Sequence, residues 1–383
     1  MLKKELMKFF TYFIVICTLI YCSENPSKSE EEIGATKTND FLVDSLATIQ
    51  TVALYQNLKE FAKNKVLFGH HETTAYGIDW KDNGFGDKSD VKEVCGDFPA
   101  VYGWDLGDIQ LSENLVGVKF TTTRRLITQA YERGGINTIS MHLDNPVTRG
   151  DAWDNSTAVT NILPNGSHNS FYLKTLDLIA DFLLTLKGAG GEYIPIIFRP
   201  YHEHNHTWAW WGKSATSESE YIQLWKMTIE YLRDTHKIHH LIYAISPQDI
   251  SSQEEYLYAY PGDEYVDILG MDVYELYKAQ NIDKFINGLE IVSNLAESKN
   301  KISALTEVGI ENVTISNWWT EYLLKGLSEN SSTLRTAWAL VWRNKDKNHH
   351  FAPYPGHSSA DNFIRFYNSE LTIFESDLID TYK

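Results

Sequence analysis

The sequence predicts an α/β protein of the (β/α)8 TIM barrel class, with residues 41–383 forming a single domain, and three observations lead there. Eight short apolar runs recur along the chain, at 66–68, 100–102, 136–141, 194–198, 241–245, 268–271, 302–305 and 337–341. Such runs, rich in β-branched residues, are how strands buried on both faces of a parallel sheet read. Segments with helical spacing lie between them, the alternation expected of a parallel α/β fold. Polar groups and Trp follow most of the runs directly, and in a closed barrel the C-terminal strand ends carry function while the opposite face carries stability.

Taken in order, residues 41–63 read as a leading helix. The first run gives way to Gly69-His70-His71-Glu72, the second to Trp104 and Asp105, and the third to His142 and Asp144. The long segment 145–169 that follows is expected to shape a cleft. Leu173, Leu176, Ile179, Leu183 and Leu186 then keep to one helical face before Gly188 offers a stop. The fourth run, preceded by Gly190 and Gly191, ends at Arg199 and Pro200. Beyond it come Glu203 and the cluster Trp208, Trp210 and Trp211, rings that are costly to expose without a partner surface. Ser217 and Glu220 spell a capping box, opening a helix that would bury Ile222, Trp225, Ile229 and Leu232 and so make Trp225 a core residue. After the sixth run stand Asp272 and Tyr274, after the seventh Glu307, and after the eighth Trp342 and Arg343. No repeat and no Pro-rich linker divides residues 41–383, so one domain is the simpler reading.

Composition narrows the partners. A net charge of -17 argues against nucleic acid and anionic membrane surfaces, which favour basic proteins. A neutral substrate remains compatible, and 13% aromatic residues, with 11 Trp and 22 Tyr, suit sugar rings, whose C–H faces stack on such side chains. With Cys17, Cys22 and Cys95 as the only cysteines, no internal disulfide framework is expected. Lys3, Lys4 and Lys8 precede a short apolar segment, so residues 1–21 read as a lipoprotein-type signal peptide. Cys22 would then be the lipidated residue and 22–40 a flexible tether, although Tyr21 stands where that pattern wants a small residue. Export follows, most simply to the outer membrane or cell surface and otherwise to the periplasm or the medium. A lipid on Cys22 would be the only membrane attachment.

His202, Glu203 and His206 also spell H-E-x-x-H, which on a helix would place two zinc ligands and a general base on one face. Here a strand precedes the motif, Pro200 lies just before it, and no helical stripe follows. No metal or cofactor is therefore expected. Two carboxylates remain prominent, Glu203 and Glu307, on strands that face each other across an eight-stranded barrel. Glycoside hydrolysis needs two carboxyl groups flanking the bond, about 5 to 5.5 Å apart for retention and about 6.5 to 9.5 Å apart for inversion.

RPYHEHNHTWAWWG, DILGMDVY, TEVG and the final WRN, together with LFGHHETTAYGIDW and CGDFPAVYGWDLGDI, resemble glycoside hydrolase family 26 over about residues 66–342. The resemblance implies a (β/α)8 barrel that hydrolyses β-1,4-mannosidic bonds with retention. It also implies Glu203 as acid/base and Glu307 as nucleophile. His202 would orient them, Tyr274 would hydrogen-bond the nucleophile, and Trp208 and Trp342 would hold the sugars beside the cleaved bond. His142 and Arg343 match positions that bind the non-reducing side. His206 and Ala209 depart from the family's usual Gly and Phe. Mannan, glucomannan or galactomannan would be the substrate, with xylan, mixed-linkage glucan or end-on release of mannobiose as alternatives.

Overall fold

The computed structural model describes residues 39–274 and 282–383. The expected signal peptide, Cys22 and nearly all of the tether lie outside the described residues. Eight parallel strands close into a barrel: β1 (Val66–His71), β2 (Val101–Asp105), β3 (Ile136–Ser140), β4 (Ile196–Arg199), β5 (Leu241–Ile245), β6 (Ile268–Val273), β7 (Ile302–Val308) and β8 (Thr336–Val341). Each pairs with the next, and β8 returns to β1 with Leu67 opposite Trp338 and His70 opposite Val341. All eight predicted runs are strands of this barrel, shifted by up to three residues at their ends.

Every strand is buried along its whole length, because one face meets the barrel interior and the other the helices. The alternation is visible in the packing. Val66, Phe68, Ile196 and Phe198 pack with helix residues such as Leu126, Leu176 and Trp225. Leu67, Val101, Ile197, Ile242, Ile268 and Trp338 form a separate inner cluster, which Leu54, Tyr55 and Leu58 of the leading helix join. That helix closes the N-terminal end of the barrel, where Tyr55 donates to the carbonyl of Asp267 just ahead of β6.

The leading helix is shorter than its pattern suggests, Ile49–Phe61. The side chains of Asn39 and Asp44 bond nearby backbone N–H groups at 2.8 Å, which competes with helix, and Thr48 caps the true start. Helix Asn169–Leu184 likewise stops before Gly188, its last turn closed by Thr185 donating to the Phe182 carbonyl. Ser217 and Glu220 do form the capping box of helix Glu218–Glu230. The buried face there is Tyr221, Leu224, Trp225, Thr228 and Ile229, with Ile222 only half-buried. Trp225 is core, its indole N–H on the Tyr265 carbonyl at 2.9 Å. A hairpin of Tyr76–Gly77 and Trp80–Lys81 and a short strand, Thr372–Ile373, beside β1 have no counterpart in the expected pattern.

Candidate active site

Loops at the C-terminal ends of the strands converge on a cleft of about 410 Å³ lined by His142, Trp153, His202, Glu203, Trp208, Gln248, Tyr274, Glu307 and Trp342, among others. Glu203 reaches it from a turn rather than a helix. Tyr201 and Glu203 both take left-handed φ, 49° and 55°, a conformation that costs non-glycine residues energy and that recurs at functional sites. His202 and His206 therefore do not share a helical face, and the zinc geometry of H-E-x-x-H is absent from this turn.

Glu307 arrives by a different device. Leu305 faces the helices and so does Val308, so strict alternation would not turn both intervening side chains inward. A register irregularity between β6 and β7, after Met271 opposite Leu305, sets Asp272 opposite Glu307. The extra residue brings both carboxylates onto the interior face, the re-aiming that bulges perform near active sites.

The acids then meet. One oxygen from each of Glu203, Asp272 and Glu307 lies within 4.8 Å of the others. Such proximity matches the spacing of about 5 to 5.5 Å for retaining hydrolysis and falls short of the wider inverting gap. Arg199, the last residue of β4, bonds Asp272 Oδ2 and Ser246 Oγ through Nη1 at 2.8 and 2.9 Å and Glu307 Oε1 through Nη2. With this guanidinium already among them, the carboxylates have a fixed cation of their own.

Burial, reinforced by the charges of Asp272 and Glu307, pushes the Glu203 carboxyl well above the usual carboxylate range. Glu203 is thus held as an acid, with Trp208 Nε1 donating to Oε2 at 2.6 Å. Burial also raises Asp272, to about 7, against the pull of Arg199. Tyr274 donates to Glu307 Oε2 at 2.6 Å, and burial next to that carboxylate raises the phenol so far that it stays a donor. His202 is kept neutral by burial and by Arg199 and His142. Burial alone would raise Asp105, but His142, His71 and Ser140 outweigh it. The resulting carboxylate holds His142 Nδ1 at 2.7 Å.

Ring systems form the walls. His142 stacks on Trp153 at 5.4 Å and on Trp208 at 5.7 Å, and it lies 5.6 Å from Trp342, which in turn rests on His71 at 4.1 Å. Apolar faces beside buried acids suit a sugar, whose C–H faces stack while its hydroxyls bond.

Residues 43–347 match the family model of Glycosyl hydrolase family 26. The chain belongs to this family. It is 34% identical over 322 residues to a mannan endo-1,4-β-mannosidase of Bifidobacterium adolescentis, covering 80% of this chain and 32% of that protein. The chain thus spans about a third of that relative's length. A GH26 β-mannanase from Bacteroides ovatus superposes with a TM-score of 0.84 at 41% identity, over 88% of this chain and 98% of that one. An endo-β-1,4-mannanase from Cellulomonas fimi gives 0.84 at 32%, over 90% and 80%.

Seven of the eight site residues read from the sequence line this family 26 cleft: Glu203, Glu307, His142, His202, Trp208, Tyr274 and Trp342. Arg343 instead lines an adjoining cavity with Tyr76 and Trp80, its Nη1 3.5 Å from the Tyr76 hydroxyl. Alternation past β8 turns Trp342 and Arg343 to opposite sides. Trp210 and Trp211 belong to the core, their indole N–H groups on the carbonyls of Leu143 and His202 at 2.8 and 2.7 Å. The pattern missed Trp153, 52% exposed within the long segment 145–169, because a lone aromatic in a loop carries no periodic signal. Arg199 read only as a strand end, although a cation closing an apolar run three residues before H-E was a signal for paired acids.

Glu72, also buried and at left-handed φ of 54°, accepts from Asn114 at 2.9 Å through one oxygen. Burial, then Asp105, raises its carboxyl to about 8. A carboxyl raised on folding favours the folded state while protonated, so its contribution declines as pH rises from the unfolded value through about 8. Glu72→Gln keeps the acceptor and cannot ionise. Its unfolding midpoint should track the parent's below about pH 4 and exceed it progressively toward pH 9, as read from thermal melts; parallel melts at all pH values would refute an ionising Glu72.

Proposed function

We propose that this family 26 protein is a retaining, endo-acting hydrolase of β-1,4-mannosidic bonds in mannan, glucomannan or galactomannan. The observation that carries the reading is the close approach of Glu203 and Glu307, one held protonated and the other bonded by Arg199 and Tyr274. Glu203 protonates the glycosidic oxygen as Glu307 attacks the anomeric carbon, forming a glycosyl-enzyme. Glu203, now a carboxylate, then takes a proton from water as the water oxygen attacks the anomeric carbon, which breaks the bond to Glu307 and releases the sugar with its configuration retained. Trp208 and Trp342 hold the sugars on either side of the bond, His202 orients the acids, and His142 serves the non-reducing side, which Arg343 would meet only where the sugar chain extends into the adjoining cavity. The mannanase relatives in Bifidobacterium, Bacteroides and Cellulomonas support mannan over xylan or mixed-linkage glucan.

Purified protein incubated with mannan, xylan and barley glucan should release a ladder of oligosaccharides from mannan first, with the β-anomer seen initially by proton NMR. Chelator should leave the rate unchanged. Preferential xylan cleavage, an initial α-anomer or loss of activity with EDTA would each overturn a distinct part of the reading.

We also propose export by residues 1–21 and lipidation at Cys22, on the strength of Lys3, Lys4, Lys8 and the apolar segment that follows. Labelled palmitate should enter the parent and not Cys22→Ser, which would leave the membrane fraction.

A further inference from the structure

Three consecutive backbone groups carry Glu203 into the cleft, and each is held by a group from another part of the chain. The Tyr221 phenol donates to the Tyr201 carbonyl at 3.0 Å, the Trp211 indole N–H donates to the His202 carbonyl at 2.7 Å, and the Glu203 N–H donates to the Ser246 carbonyl at 2.7 Å. Tyr221 and Trp211 are buried, 2% and 1% exposed, and neither lines the cleft. The Tyr201 side chain runs the other way, into the helix layer, where its hydroxyl meets those of Tyr172 and Thr228, the latter at 2.8 Å.

These bonds fall on a segment whose backbone is strained, since φ is left-handed at both Tyr201 and Glu203. A non-glycine residue keeps that conformation only where its surroundings over-determine it. Relaxation of either φ would swing the Glu203 side chain, although no group touching the substrate had changed.

We propose that Tyr221 and Trp211 are positioning residues, which fix the protonating geometry of Glu203 by clamping the backbone of residues 201–203. The inference rests on Glu203 acting as the acid/base. Tyr221 remains stacked on His204, ring centroids 4.3 Å apart, when its hydroxyl alone is removed.

Tyr221→Phe and Trp211→Phe delete one donor each and keep a ring in place. On mannan, kcat should fall by about 10- to 100-fold with KM nearly unchanged, the size of effect expected from a slight misplacement of a reacting group. With 2,4-dinitrophenyl β-mannobioside, whose leaving group departs without a proton, the burst rate of glycosyl-enzyme formation should stay at the parental value. Azide, which needs no general base, should restore the slowed second step. Equal losses on both substrates would assign the two residues to general stability and overturn the proposal, as would parental kcat on mannan. If one variant fails to fold, as judged by circular dichroism, the other decides by the same readings. Failure of the hydrolase reading itself would show separately, as an unaltered protein that forms no glycosyl-enzyme from the activated substrate.

Discussion

Glu307→Ala should lower turnover on mannan by ~10⁴-fold or more, the scale seen when a covalent nucleophile is removed, while the protein stays folded and still binds manno-oligosaccharides. The separation of the two outcomes has a structural reason. Arg199 keeps Asp272 and Ser246 as partners after Glu307 is gone, so no buried cation is left unpaired. The rings of Trp208, Trp342 and Trp153 are untouched, and they supply most of the apolar contact for a sugar. Calorimetric titration of the variant with mannohexaose, beside single-turnover rates, measures both. A variant that retains near-parental turnover would remove Glu307 from the reaction.

Arg199→Met should be the most destabilising single change at the site, by about 3 to 5 kcal/mol, because it strips the cation from buried carboxylates instead of replacing the whole group. Asp272 and Glu307, 0% and 5% exposed at their side chains, have the guanidinium as their shared cation. In the variant Asp272, which burial already raises to about 7 against the pull of Arg199, would take up a proton still more readily folded than unfolded. Carboxyls raised in this way stabilise the fold while protonated and lose that contribution as pH rises. The deficit should therefore be smaller at pH 5 than at pH 8. Urea denaturation at both values tests the sign, and an unchanged midpoint at pH 8 would mean that the ion pairs contribute nothing net.

Much of the molecule is legible in one dimension. Runs such as 194–198 and 241–245 are apolar at every position, which only a strand covered on both sides tolerates, and eight of them leave little choice of architecture. The capping box at Ser217 and Glu220 is local chemistry, complete within four residues, and so it survives into the structure unchanged. Helix ends were less legible, because Asn39, Asp44 and Thr185 settle them through side-chain bonds that spacing does not reveal.

The sequence by itself determined which residue types stand at the strand ends, and hence that two glutamates, paired with aromatic rings, would face one another over a cleft. Only the tertiary structure decided how they face. Period-two alternation would not bring Glu307 inward together with Thr306; the register irregularity against β6 does so, and it exists only when two strands are paired. The left-handed turn at Tyr201 and Glu203 likewise depends on donors from Tyr221 and Trp211 and on the Ser246 carbonyl. Strand pairing and backbone support of this kind are contacts between distant residues, and a linear pattern holds the partners without saying which of them meet.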